Sequence, residues 1–131
     1  MPYRIELKQD QGYILVEHFG EVNGEEVDDI RTEVFGLVAR SGISRVLVDA
    51  RKISNDLSVT ESFNITLGHV NVQTPFPKPR ACLLVRPDQF ENGQFIETVA
   101  ENRGLPIKSF TDLDAGLEWL LQPSPAGVKR N

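Results

Sequence analysis

Two short apolar runs, Val46-Leu47-Val48 and Ala81-Cys82-Leu83-Leu84-Val85, each stop at a charged residue on both sides. Runs this short and this uniformly apolar suit strands buried on both faces, as in a parallel sheet. Parallel neighbours cannot be joined by a tight turn. They need a crossover of a dozen or more residues, usually a helix. The two runs therefore oblige the chain between and around them to alternate strand and helix.

The flanking segments meet that demand. Ile5 and Leu7 alternate with Arg4, Glu6 and Lys8, and the turn cluster Gln9-Asp10-Gln11-Gly12 separates them from the β-branched and aromatic run Tyr13 to Phe19. This pattern predicts an antiparallel hairpin. Asn23 is the expected cap of a first helix, with Glu26 in the capping-box position. Val27, Ile30, Val34, Leu37 and Val38 form its inward stripe, and Ser41-Gly42 ends it.

The first apolar run predicts a strand over 44–50, followed by a polar loop over 51–57. Ser58-Val59-Thr60-Glu61 has capping-box spacing for a second helix, with Phe63, Leu67 and Val70 inward. Pro75, Pro77 and Pro79 exclude helix and predict a stiff surface connection. A second central strand is expected over 80–86. Asp88 is the expected cap of a third helix carrying Ile96, Val99 and Ala100 inward, with Gly104 closing it. A short strand over 107–110 precedes a last helix capped by Thr111 and Asp114, with Leu113, Leu117, Trp119 and Leu120 facing the core. The segment 122–131 has no periodicity and is expected to be a flexible tail.

The expected order is β-β-α-β-α-β-α-β-α. It describes a single-domain α/β fold with a mixed, mostly parallel sheet and helices on both faces. At 131 residues the chain suits one domain, expected over 1–121.

Charge narrows the partners. Against 14 Lys and Arg stand 19 Asp and Glu, a formal net charge of -5. Such a balance disfavours nucleic acid, which needs a basic footprint. The N-terminal residues lack the apolar stretch of a signal peptide, and no run reaches the roughly 20 residues of a membrane span. The expected location is the cytoplasm. The single cysteine, Cys82, excludes an intrachain disulfide and reads as a small buried hydrophobe.

Catalytic signatures are missing from the sequence. It contains no Gly-x-Ser-x-Gly elbow, phosphate loop or dinucleotide fingerprint. His18 and His69 have no metal-ligand spacing and read as surface or boundary residues. Asn64-Ile65-Thr66 matches a glycosylation sequon but falls inside a predicted helix. No enzyme activity, metal or cofactor is expected.

One location attracts a binding hypothesis. In open α/β sheets ligands bind beyond the carboxyl ends of the strands. That rim brings together Asp49, Arg51 and Lys52 from one strand, Arg86 from its neighbour, and the start of the helix carrying Ser58 and Thr60. Two guanidiniums beside a helix N-terminus would suit an anion. The competing expectation is an internal ion pair, with Asp49, Asp56 or Asp112 neutralising the arginines.

Gly20-Glu21-Val22, Val46-Leu47-Val48-Asp49 and the closing Phe110-Thr111-Asp112-Leu113-Asp114-Ala115-Gly116-Leu117-Glu118-Trp119-Leu120 together resemble the SpoIIAA-like family, over about residues 3 to 121. That family is similar in fold to the anti-sigma-factor-antagonist (STAS) domains and to CRAL-TRIO lipid-binding domains. The resemblance implies a four- or five-stranded sheet with about four helices in a bacterial protein. Antagonists carry a phosphorylated serine in an Asp-Ser-Ser-Gly stretch after the central strand. Here that stretch reads Ser54-Asn55-Asp56-Leu57-Ser58-Val59-Thr60-Glu61-Ser62. Ser58, Thr60 and Ser62 are the candidate phosphoacceptors by position, without the motif. The first function expected is a non-catalytic regulatory domain acting through a protein partner or a second copy of itself. The alternative is a carrier for a small apolar or anionic ligand.

Overall fold

Each strand lies beside its neighbour in the chain. The sheet order is β1-β2-β3-β4-β5, formed by Tyr3–Lys8, Tyr13–Gly20, Arg45–Ile53, Arg80–Leu84 and Ile107–Phe110. The first pair is antiparallel and the other three are parallel. Four helices complete the fold: α1 (Gly24–Ser41), α2 (Val59–Val70), α3 (Phe90–Glu101) and α4 (Leu113–Leu120). A computed structural model describes residues 3–54, 59–74 and 78–123, and the side chains at 59, 60, 62, 63 and 70 lie outside that description.

This order decides where the helices go. Right-handed crossovers that keep advancing in one direction put every crossover helix on the same face of the sheet. Accordingly α1, α2 and α3 share one face, and α4, which follows the last strand, covers the other. On the three-helix face Ile30, Val34 and Val38 of α1 pack on Ile14, Val16 and Val46. On the opposite face Leu120 of α4, with Leu113, Leu117 and Trp119 around it, packs on Leu47, Cys82 and Leu84. Gly116 lets α4 approach closely, because a Cβ there would stand 2.7 Å from Cys82 Sγ. Cys82 is fully buried, and burial followed by the nearby Asp49 charge pushes its thiol up to about 12.

The expected element order and the helices on both faces are observed, and so is the Asn23 cap, whose side chain accepts from Glu26 N at 2.9 Å. Other boundaries differ. β3 runs three residues past Ala50, because Phe19 and Gly20 pair with Lys52 and Ile53 beyond a register shift in β2. Ser54 N then donates to Gly20 O at 2.8 Å. β4 stops at Leu84. Asp88 does not cap α3: it sits in a 3-10 turn, Pro87–Gln89, and binds Arg86 instead. The cap of α4 is Asp112, which accepts from Ala115 N at 3.0 Å, rather than Thr111 or Asp114. Of the expected tail, 122–131, residues 124–131 lie outside the described residues, as do residues 75–77 of the proline segment.

Candidate functional site

The strand-end rim separates into two ion pairs. Along β3 the side chains alternate, and Asp49 and Arg51 fall on the α4 face with Leu47. Arg51 Nε and Nη2 reach Asp49 Oδ1 and Oδ2 at 3.1 and 3.0 Å, and Arg51 N also donates to Oδ1. Asp49 is only 7% exposed. Burial alone would raise its pKa, but the hydrogen bonds and charge of Arg51, with Lys52 behind them, hold it below the usual carboxylate value. Arg86 engages different groups, Asp88 Oδ1 at 3.1 Å and Ile53 O. The two arginines thus have separate partners. Ser58 lies outside the described residues, and so do the side chains of Thr60 and Ser62.

The three-helix face holds a larger feature. Between the sheet and α1, α2 and α3 lies a cavity of about 200 Å³. Its floor alternates along the strands: Val16 and His18 of β2, Val46, Val48 and Ala50 of β3, Ala81 and Leu83 of β4, and Ile107 of β5. Its roof includes Ile30 and Val34 of α1, Ile65 of α2 and Ile96 of α3. Ala50 and Ala81 are the smallest side chains on the sheet side. The space exceeds the roughly 150 Å³ of an apolar cavity that takes up benzene. Protein interiors otherwise leave few voids larger than a water molecule.

Two histidines stand on the cavity wall: His69 keeps the boundary position expected for it, while His18 is buried, contrary to that expectation. His18 continues the period-two series of Ile14 and Val16 into the dry face of β2, where it is 8% exposed. Its Nδ1 has no hydrogen-bond partner among the described residues, and burial lowers its pKa. His69 of α2 accepts at Nδ1 from Arg31 Nε across 3.0 Å. That bond assigns the neutral ring's proton to Nε2. Burial, then the charge of Arg31, then His18, lower the His69 pKa to about 4. The Arg31 guanidinium also donates to Ile65 O at 3.3 Å and pairs with Asp28. Gly68 makes room for it, since a Cβ there would meet Arg31 Cζ at 2.7 Å.

The sequence held a signal for both groups. His18 is in phase with the apolar alternation of β2, and Arg31 lies four residues after Val27 and three before Val34, on the buried stripe of α1. Of the rim residues, Arg86 lines the cavity, at the end where β3 and β4 finish. Among the described residues no group of three or more His, Cys, Asp or Glu is placed to hold a metal ion. No described helix is long and apolar enough to cross a membrane.

No family model and no curated protein matches the sequence. Solved structures do. An uncharacterized protein of the DUF3478 family with a SpoIIAA-like fold, from Shewanella loihica PV-4, aligns with a TM-score of 0.60 at 19% identity, covering 90% of this chain and 91% of that one. The anti-sigma factor antagonist SpoIIAA in its unphosphorylated form aligns with a TM-score of 0.56 at 16% identity, covering 86% of this chain and 91% of that one. At these identities the likeness is one of fold.

Proposed function

We propose that this SpoIIAA-fold chain is a non-catalytic binding domain whose ligand is a small apolar molecule held between the sheet and α1, α2 and α3. The cavity of about 200 Å³ carries this reading. Its walls are apolar, it is benzene-sized or larger, and its filling would recover contacts that the bare walls forgo. The buried single thiol, Cys82, suits the reducing cytoplasm.

Native mass spectrometry of freshly purified protein and thermal shifts with small hydrocarbons test the proposal. A bound species, or a Tm that rises with ligand concentration, is the expected result. Ala50→Leu, which fills the floor, should remove the shift. A protein that carries nothing and gains no stability from any hydrocarbon would overturn the proposal.

The likeness of fold to the antagonist SpoIIAA favours a second reading, a regulator that acts through a protein partner or a second copy of the chain. Ser58, Thr60 and Ser62 are its candidate phosphoacceptors, and Asp49, Arg51, Ser58, Thr60 and Arg86 its candidate anion-binding rim. Phosphopeptide mapping from native extract, with capture of a defined partner lost in Ser58→Ala, tests it.

A further inference from the structure

We propose that β1 is the interface of a twofold dimer, in which it pairs antiparallel with β1 of a second copy and joins the two sheets into one. The two edges of the sheet differ. At β5, Ser109 N, which points away from β4, donates to Glu97 Oε2 of α3 at 2.8 Å, so a helix side chain already occupies that edge. The free side of β1, a strand of 6 residues, has no backbone partner among the described residues. Such an edge is a template for another strand. β1 contributes no residue to the cavity wall, so the dimer does not depend on the cavity holding a ligand.

The side chains of β1 admit one pairing of this kind. Tyr3, Ile5 and Leu7 are partly buried against the face carrying α1, and Arg4, Glu6 and Lys8 alternate with them on the other face. Opposed residues of antiparallel strands share a face, so a register slipped by one residue sets charge against hydrocarbon. Centring the pair on Glu6 would oppose Glu6 to itself and Arg4 to Lys8. Centring it on Leu7 would bring Ile5 against Gln9, beyond the end of the strand. Centring it on Ile5 opposes Arg4 to Glu6 of the second copy twice, and Tyr3 to Leu7 twice. This register is its own complement, as a twofold axis requires.

The charge row across the sheet points to the same register. Lys52 Nζ lies 3.9 Å from Glu17 Oε2, and Arg4 Nε donates to Glu17 Oε1 at 2.8 Å. The row therefore runs positive, negative, positive toward the edge, where the Arg4 side chain remains 56% exposed. Its contact with Glu6 of its own chain, at 3.5 Å, is an exposed one of little weight. Glu6 of the second copy supplies the next negative charge. The charges on β1 thus select one partner strand rather than block all of them.

Sedimentation velocity from about micromolar to about millimolar protein tests the dimer. The wild-type mass should rise with concentration toward twice that of the chain. Glu6→Lys sets Arg4 against a second cation at both symmetric positions and should weaken association at least about tenfold. Arg4→Glu should do the same with two anions. An equimolar mixture of the two variants restores both opposite-charge pairs, so it should associate where neither does alone. Should Arg4→Glu not fold, Glu6→Gln, which removes the charge without reversing it, should fall between the wild type and Glu6→Lys. A wild-type chain that stays monomeric throughout overturns the proposal. So does a dimer indifferent to Glu6→Lys, or a mixture of folded variants that stays monomeric.

Discussion

Arg31 Nε on α1 donates to His69 Nδ1 on α2 across 3.0 Å, so two of the three helices that roof the cavity are joined through a ring that must remain neutral. A protonated His69 would present a second positive charge, and an N–H in place of a lone pair, to the guanidinium.

Acid should therefore loosen this joint. His69 titrates at about 4 in the folded protein against 6.5 for the free side chain. Because the folded value is the lower one, the unfolded chain binds the extra proton first. The stabilisation is complete above about pH 6.5, declines as pH falls, and is gone below about pH 4, a change of about 3 kcal/mol. His18 acts in the same direction. Urea unfolding between about pH 7 and pH 4 should show a shallower loss in His69→Gln than in the wild type.

Gly68→Ala should act on the same joint from outside. The added Cβ would stand 2.7 Å from Arg31 Cζ, so the guanidinium must withdraw. With that charge further away, the His69 pKa should rise from about 4 toward 6.5, as an NMR titration reads. The guanidinium, at the end of a flexible side chain, yields cheaply, so the loss in urea should be that of its bonds to His69 and Ile65, about 1 kcal/mol.

On the other face, Gly116→Ala should destabilise, although Gly to Ala inside a helix ordinarily gains about 1 kcal/mol. The new Cβ would stand 2.7 Å from Cys82 Sγ, and crowding of this kind costs about 1–3 kcal/mol. Native wild-type protein should leave an aromatic disulfide reagent unreacted, since its thiol is buried and its pKa stands at about 12.

Substitution of the residues that open α4 should separate the observed cap from its neighbours. Asp112→Ala should cost about 1 kcal/mol, the usual value of a lost N-cap. Thr111→Ala and Asp114→Ala, both at exposed positions, should change stability by less than about 0.5 kcal/mol.

Phosphate should not stabilise the chain beyond chloride at equal ionic strength, since Arg51 already faces Asp49 and Arg86 faces Asp88. Arg51→Ala should raise the Asp49 pKa, as carboxyl 13C shifts would record. With its folded value held low, Asp49 contributes stability above the usual carboxylate range, which is lost as pH falls through that range and below it. The variant should flatten that acid limb. A phosphate-specific rise in Tm would favour the shared anion site.

Periodicity carried the strands and helices, because one buried face per element writes itself into the residue pattern. It was weaker at the ends. Near the end of β3, Arg51 and Lys52 are exposed and polar, and only the backbone pairing of Lys52 and Ile53 with Phe19 and Gly20 extends the strand. Asp112 and Asp114 are chemically alike as caps, and where the helix begins decides between them. The cavity left no contiguous trace. It is assembled from alternate residues of four strands and from residues of three helices, far apart in the chain. His18 was legible as an inward position but not as an unpartnered one, since a missing hydrogen bond is a property of the assembled wall.

The strictly sequential strand order bears on how the chain assembles as it emerges from the ribosome. Each strand can dock on one already made, with no slot left open for a later insertion. The face carrying Cys82 is the exception: it stays bare until α4, the final described helix, has been synthesised and laid down. Thiol accessibility during translation would therefore time one event, the docking of α4, and a nascent chain halted before Leu113 should be labelled at Cys82 while the finished fold is not.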